Sequence, residues 1–244
     1  MAGGSGVGKA IAMWLARAGC DVAIADVDGD AAEAVAGELR THDYTAIAVA
    51  AGVATEEEVE AMIAAVLGQF DALDIAVNDV AAMTVRASRP AVEAKREERR
   101  ATGERTAWCC RAEARAMAAR EQGGVVLNVF LEEAGRTADG REHGGRNVES
   151  LTRGLAVEHA TAGVRVNALV GPSYIAGASP AGPRRDRLRH SLPLGRLVEP
   201  DDLGRAAVFL VSDLARSVTG QILRVEAGGD LVPRDSGRAP GPGR

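Results

Sequence analysis

The stretch MAGGSGVGKAIAMWLARAGC, residues 1–20, decides how this chain folds. Its glycines crowd a turn that runs directly into apolar residues at helical spacing, among them Ile11 and Leu15. Glycine lacks the Cβ that would keep an anion away from the backbone, and it tolerates positive φ. The helix that follows directs the positive end of its dipole at the same turn. The stretch therefore predicts a diphosphate-binding turn, and a glycine-rich flexible tail is the alternative.

A second feature that points to a nucleotide site is an acidic residue at the end of the strand that follows the glycine turn. The apolar strand DVAIAD, residues 21–26, ends on Asp26, twenty residues after Gly6. A carboxylate at this distance can accept a hydrogen bond from the ribose 2′-OH of NAD, and it repels the 2′-phosphate of NADP. Together the two signals predict a dinucleotide site that favours NAD. The alternative for Asp26 is a cap on the next helix.

Length and composition agree with one large α/β domain. The chain has 244 residues, of which 46% are hydrophobic and 26% charged, which is enough for a well-buried core. No run of eighteen apolar residues and no signal peptide is found, so we expect a cytoplasmic protein without a membrane segment. A net charge of -5 gives no reason to expect nucleic acid. Three cysteines, badly spaced, predict neither a disulfide framework nor a metal site.

Strand and helix patterns alternate along the chain, which is typical of crossover units and a parallel sheet. The fold class predicted is α/β, with a single doubly wound, mostly parallel Rossmann-like sheet flanked by helices over residues 1–232 and a disordered tail over 233–244. Strands are predicted at 21–26, 45–51, 73–78, 125–131, 164–170 and 222–225. Helices are predicted at 28–40, 55–69, most of 79–123, 147–162 and 200–212, with a Pro/Gly-rich loop at 171–183.

The chain resembles the short-chain dehydrogenase/reductase family across essentially its whole length. The matching segments are GGSGVGKAIA (3–12), LDIAVN (73–78), LTRGLAVE (151–158), GVRVNAL (163–169), PLGRLVEPDDLGRAAVFLVSD (193–213) and VTGQILRVEAGG (218–229). The resemblance implies NAD(P)(H) as cofactor and hydride exchange between the nicotinamide and an alcohol or ketone. It also implies a homodimer or homotetramer.

The resemblance assigns roles to residues by position. It implies that the phosphates are lined by Gly4, Ser5, Gly6, Val7 and Gly8. It places Asp26 at the adenosine ribose, Asn78 on the adenosine side of the sheet and Ile175 near the nicotinamide amide. The alternative for Asn78 is a strand-end residue that satisfies backbone groups.

Departures from the family pattern concern the first strand. The family motif starts Thr-Gly where this chain has Met1 and Ala2, so the strand before the glycine turn is absent from the sequence. We expect its loss to expose the edges of two apolar neighbouring strands. Either the true start lies upstream or the fold is altered.

The family's catalytic groups are also missing. The Tyr position falls on Arg141, the Lys position on Gly145, the Ser position on Leu131 and the Asn position near Thr102. No catalytic residue is therefore predicted. His143 could in principle donate the proton, but we interpret it as a solvated loop residue. The poor match over 79–146 between two well-matched flanks suggests, as a hypothesis, translation out of frame.

Two functional classes follow. The first is an NAD(H)-dependent oxidoreductase of this family with impaired catalysis, acting on a small-molecule alcohol or ketone. The second is a non-catalytic nucleotide-binding or partner subunit. The loop at 171–192, which would form the substrate pocket, has no recognisable chemistry, so no particular substrate is predicted.

Overall fold

The structure, a computed structural model, describes residues 6–80, 92–119, 123–132, 145–176 and 182–231. Within these ranges helices and strands alternate, and every strand pairing is parallel. The elements are α1 Gly6–Arg17, β1 Val22–Asp26, α2 Gly29–Arg40, β2 Ala46–Ala50, α3 Glu56–Leu67, β3 Ile75–Asp79, α4 Val92–Ala118, β4 Gly124–Glu132, α5 Gly145–His159, β5 Val164–Pro172, α6 Pro183–Ser191, α7 Pro200–Val211 and β6 Ile222–Arg224.

This architecture confirms the predicted fold class, and the predicted strands and helices within these ranges recur with their ends shifted by a few residues. One helix escaped prediction: α6 lies inside the segment interpreted as a loop. Its sequence PRRDRLRHS begins with a proline suited to a first helical turn, but it has almost no apolar residues to reveal a helical period. The predicted disordered tail lies outside the described residues. No described helix is both long enough and apolar enough to cross a bilayer.

The sheet lies between two layers of helices. One core cluster joins α1 to β4, β5 and α7, and a second joins α1 and α2 to β1 and β2. On the other face, α3, α4 and α5 form two further clusters with the strands. Successive residues of a strand point to opposite faces, and accordingly Val126 packs toward α4 and α5 while Leu127 packs toward α1 and α7. The central strands β4 and β5 are thus buried on both faces, as expected of a parallel sheet.

The strands form two separate hydrogen-bonded groups in the described part of the chain. One group is β1–β2 and the other is β3–β4–β5–β6. The space between β1 and β3 is called the slot below. Within the described ranges no ladder joins β1 to β3, and the expected exposure of the two strand edges stays a prediction.

Two polar side chains of β5 position the last strand. The Arg165 guanidinium donates to the carbonyls of Leu210 at 2.9 Å and Val218 at 3.0 Å. The Asn167 side chain donates to the Val218 carbonyl and accepts from the backbone N–H of Gln221. These bonds hold the 218–221 turn against β5, so β6 pairs with β5 and its carboxyl end reaches the same edge of the sheet.

Candidate functional site

The candidate site lies at the edge where the parallel strands end. Asp26 ends β1, Asp79 ends β3, Glu132 ends β4 and Arg224 ends β6. Helix α1 packs against strands of both groups. In open parallel sheets, ligands bind outside the carboxyl ends of the strands. Of the residues predicted from the sequence, Asp26 ends β1 at this edge and Asn78 is the last residue but one of β3.

Gly6 begins α1 with a φ of 60°, a left-handed conformation that glycine adopts without strain. A Cβ placed on Gly6 would meet no atom of the described residues within 4 Å, so these residues leave the space beside its backbone open. The first turn of α1 contains no acidic residue. The amino end of α1 can therefore receive an anion, and the diphosphate site at the glycine turn stays a prediction. Gly4 and Ser5 lie outside the described residues.

Val7 and Ile175 belong to one core cluster, although 168 positions separate them in the sequence. Both side chains are almost fully buried, at 2% and 5% exposed. Ile175 lies in the 3₁₀ turn that follows β5. Gly8 instead borders the slot. The fold thus brings the glycine turn next to the loop that was expected near the nicotinamide.

Asp26 is half-buried at the end of β1, and its Oδ1 accepts the backbone N–H of Asp28 at 3.1 Å. The cap of α2 is Asp28, whose Oδ1 accepts the N–H groups of Asp30 and Ala31, each at 3.1 Å. The capping role, the alternative interpretation of Asp26, thus belongs to the residue two positions later. Asp26 remains at the site edge, next to the amino end of the following helix.

Asn78 lies deeper than its predicted role suggested. Its side chain is fully buried, and Nδ2 donates to Glu113 Oε2 at 2.9 Å and to Asn128 Oδ1 at 3.2 Å. Its partners are therefore side chains and not the backbone groups that the alternative interpretation proposed. Asn78 can influence a ligand at this edge only through the residues around it.

Three of the four positions that the family resemblance assigned to catalytic groups lie within the described residues. Leu131 lies next to the end of β4 and packs against the core cluster of α1 and α7. Thr102 lies within α4, where its carbonyl accepts the Thr106 hydroxyl at 2.8 Å. Gly145 is the first residue of α5. Neither Leu131 nor Gly145 has a side chain that could orient a carbonyl or move a proton. Arg141 and His143 lie outside the described residues.

An ion pair at the site edge was missed by sequence reasoning. The side chain of Glu132 is only 18% exposed, and its Oε2 lies 2.8 Å from Arg224 Nη1. Asp230 lies 3.6 Å from the same guanidinium. The pKa of the nearby Glu226 carboxyl is raised by burial and by Asp230. The sequence could not reveal the pair, since it forms only because β4 and β6 both end at this edge.

Tyr174 occupies the same 3₁₀ turn as Ile175 and faces the start of α7. Its hydroxyl oxygen accepts the backbone N–H of Val198 at 2.9 Å. Burial raises the pKa of this phenol, so it is protonated at neutral pH. The hydrogen bond ties the loop after β5 to the segment before α7.

Comparison with known proteins gives consistent matches. A family model described as enoyl-(acyl carrier protein) reductase matches residues 1–229. The chain is 32% identical to 4-formylbenzenesulfonate dehydrogenase of Comamonas testosteroni, over 94% of this chain and 95% of that protein. It is 28% identical to a 3-oxoacyl-(acyl-carrier-protein) reductase of Staphylococcus aureus, over 91% and 93% of the two chains.

Solved structures match over a similar length. The hydroxysteroid dehydrogenase from Escherichia coli aligns with a TM-score of 0.79 and 25% identity, over 93% of this chain and 92% of that one. A 7α-hydroxysteroid dehydrogenase in complex with NADH and 7-oxoglycochenodeoxycholic acid aligns with a TM-score of 0.77 and 25% identity, over 93% and 91%. The likeness therefore extends over nearly the whole of each chain.

Proposed function

This chain belongs to the short-chain dehydrogenase/reductase family, and we propose that it is an oxidoreductase that binds NAD(H) at the amino end of α1. The observation that carries the proposal is Gly6, whose positive φ and open backbone begin a helix at the carboxyl edge of the sheet. The free N–H groups of a helix amino end favour a diphosphate. When bound, the nicotinamide would supply the hydride for reduction of a carbonyl.

The residues present fit such a cofactor along its length. Gly4, Ser5, Gly6, Val7 and Gly8 would hold the diphosphate at the start of α1. Asp26 would accept from the adenosine ribose and would repel a 2′-phosphate, which favours NAD over NADP. Ile175 would contact the nicotinamide end, and Asn78 would support the floor of the site from its buried position.

The residues at the family's catalytic positions do not fit the reduction of a ketone as well as the other residues fit the cofactor. Reduction of a ketone requires a donor at the carbonyl oxygen, and Leu131 and Gly145 offer none. Loss of a positioned general acid typically lowers the rate by about 10²- to 10⁴-fold. We therefore expect slow turnover of alcohols and ketones even with NADH bound. These same positions favour a second candidate, a subunit that binds nucleotide without catalysis.

The proposal is tested by titrating the 244-residue protein with NADH and NADPH and then assaying NADH oxidation with a panel of ketones and diketones. We expect saturable NADH binding that is tighter than NADPH binding, with only a trace of turnover. Absence of NADH binding would contradict the proposal. A kcat on the order of 1–10 s⁻¹ lies within the usual enzyme range. It would show that another residue donates the proton to the carbonyl oxygen, and His143 would be the first residue to replace.

Restoring the missing groups separates an impaired enzyme from a subunit that only binds nucleotide. The triple variant Leu131→Ser, Arg141→Tyr and Gly145→Lys supplies a carbonyl-orienting hydroxyl, a phenol and an amine at the family positions. For an impaired oxidoreductase, NADH oxidation with a diketone should rise above that of the unchanged chain. The single variant Leu131→Ser is the control, because it carries the packing change without the proton donor. An unchanged rate in a folded, NADH-binding triple variant would favour the nucleotide-binding subunit.

A further inference from the structure

Helix α6 concentrates positive charge on an acidic protein. Its nine residues, PRRDRLRHS, contain four arginines and one aspartate, whereas the whole chain has a net charge of -5. The helix contains one leucine, Leu188, which packs against the core cluster that includes Ile175. The leucine attaches the helix to the core, so the arginines are left to serve another purpose.

The helix is held at the edge where the strands end. It follows the 3₁₀ turn that continues from the carboxyl end of β5. Beyond the helix, Leu194 donates its backbone N–H at 3.2 Å to the carbonyl of Ala227, which lies three residues after the end of β6. Leu192 is buried in the same core cluster as Ile175. Helix α6 thus borders the edge at which the cofactor is proposed to bind, on the side of Ile175.

The arginines of this helix are exposed and have no acidic partner in the described part of the chain. Exposed side chains are described for three of them: Arg185, Arg187 and Arg189. Neither these three nor Asp186 forms an ion pair with a described residue. By contrast, the guanidinium of Arg196, beyond the helix, donates to the two carboxylate oxygens of Asp202 at 2.7 and 3.1 Å. The guanidinium groups of α6 are therefore available to a ligand.

Arg185 and Arg189 lie on one face of the helix. They are four positions apart, which places them one turn from each other, while Arg187 is two positions from each and does not face them. Like charges at this spacing destabilise a helix, and a basic residue in the first turn opposes the helix dipole. A bound anion would relieve both effects. The carboxylates of Glu132 and Asp230 at this edge already face Arg224.

We propose that Arg185 and Arg189 bind an oxoanion, such as a carboxylate, at the end of the substrate opposite to its reacting carbonyl. The substrate class is therefore anionic ketones and the corresponding alcohols. The inference rests on the proposed function for the position of the carbonyl beside the nicotinamide. The planar guanidinium forms paired, charge-assisted hydrogen bonds with a carboxylate, so two arginines one turn apart can hold one oxoanion between them.

The test compares charged and neutral probes that are otherwise matched. The probes are methyl ketones that end in a carboxylate, with about two to six methylenes between the two groups, and the primary amide of each. Ligand-observed NMR titration of the 244-residue protein with NADH gives the dissociation constants. We expect at least one keto acid to bind about tenfold more tightly than its amide, as two exposed charge-assisted contacts would give. This preference should shrink as the salt concentration rises, because salt screens exposed charges.

Two variants localise the preference. In the double variant Arg185→Gln, Arg189→Gln, the keto acid should bind about tenfold more weakly, and its amide should bind within about twofold of the unchanged chain. The single variant Arg187→Gln is the control, because it removes a charge from the same helix but from outside the shared face. It should bind the keto acid within about twofold of the unchanged chain. Glutamine suits both variants, since its helix propensity is close to that of arginine.

Four results would overturn the inference. The first is equal binding of every keto acid and its amide by the unchanged chain. The second is an equal loss in Arg187→Gln, which would show a diffuse positive field. The third is weaker NADH binding by the double variant, which would assign the arginines to the cofactor's phosphates. The fourth is a poly-aspartate peptide that binds through Arg185 and Arg189 more tightly than every keto acid, which would indicate an acidic protein partner.

The outcome is separable from that of the proposed function. Absence of NADH binding by the unchanged chain would contradict the proposed cofactor site, and the comparison of acid with amide can then be repeated without NADH. If NADH binds but acids and amides bind equally, only the inference about Arg185 and Arg189 fails. Both comparisons use the unchanged chain, so they hold even if a variant does not fold.

Discussion

Asp26 ends β1 with its Oδ1 3.1 Å from the backbone nitrogen of Asp28, at the edge where the strands end. Its replacement by asparagine keeps the size of the side chain and an acceptor for that N–H, but it removes the charge. A hydrogen bond to a charged group is worth about 1.5–3 kcal/mol, or roughly ten- to hundredfold in affinity. We expect Asp26→Asn to weaken NADH binding by about that factor and to weaken NADPH binding less.

The control for this prediction is Asp30→Asn, which neutralises an exposed carboxylate in the first turn of α2. Fluorescence titration of both variants with both dinucleotides gives the ratio of the two dissociation constants. An unchanged ratio in Asp26→Asn would show that Asp26 does not face the 2′-position. If Asp30→Asn changes this ratio by the same factor, the effect comes from the overall charge near the site and not from a contact with Asp26.

Helix α4 buries a carboxyl group against the sheet. Glu113 is 3% exposed, and its Oε2 accepts from the Asn78 side chain at 2.9 Å. Burial raises the pKa of Glu113, and the hydrogen bond from Asn78 opposes this change. Burial likewise raises the pKa of the neighbouring Cys110 thiol, so that thiol stays neutral. The helix therefore holds a titratable group whose charged form is disfavoured by folding.

The stability of the protein should depend on pH through Glu113. Because the folded state binds this proton more tightly than the unfolded state, stability falls as pH rises from the ordinary carboxyl pKa of about 4.3 through the higher folded value. Glu113→Gln keeps an acceptor for Asn78 and removes the titration. Each tenfold difference in proton affinity is worth about 1.4 kcal/mol, or about 3–6 °C in Tm for a chain of this size. We expect the variant to have the higher Tm at pH 7.

Thermal unfolding between pH 5 and pH 8 measures the effect. Between pH 5 and pH 8, Tm should fall less for the Glu113→Gln variant than for the unchanged chain. Glu104→Gln in the same helix is the control, because Glu104 is a half-exposed partner of Arg100. If Tm depends on pH in the same way for Glu113→Gln and the unchanged chain, ionisation of Glu113 does not destabilise the fold.

The whole molecule presents large apolar side chains on the helices that flank the sheet. Val157 of α5 is 79% exposed and Phe209 of α7 is 41% exposed. The family resemblance implies assembly, and exposed apolar side chains on these helices are candidates for the contact. We expect a homodimer or homotetramer by light scattering, with Val157→Glu shifting the mass toward the monomer because it buries a charge at the contact.

Val27→Glu is the matched control, since Val27 is 82% exposed in the turn after β1 and lies on neither helix. It should leave the assembly unchanged. A clean monomer of the unchanged chain at micromolar concentration would contradict the prediction. Equal dissociation by both variants would mean that added charge, and not the α5 surface, is responsible.

Much of the fold could be predicted because helix starts and hydrophobic periods are clear in the sequence before residue 79 and after residue 146. Thr55 followed by three glutamates predicted a helix start, and the Thr55 hydroxyl accepts the N–H of Glu58 at 3.3 Å. Helix α6 could not be predicted because its polar sequence has no hydrophobic period. The Glu132–Arg224 pair could not be predicted either, because residues 92 positions apart meet only through the order of the strands.

The sequence alone determined the fold class, the glycine at the start of α1 and the acidic end of β1. These features are local, since each depends on residue types within a few positions or on hydrophobic period. Tertiary structure decided the rest. It buried Asn78 against Glu113, joined Val7 to Ile175 and set Glu132 against Arg224, because burial and contacts between distant residues depend on which elements pack side by side.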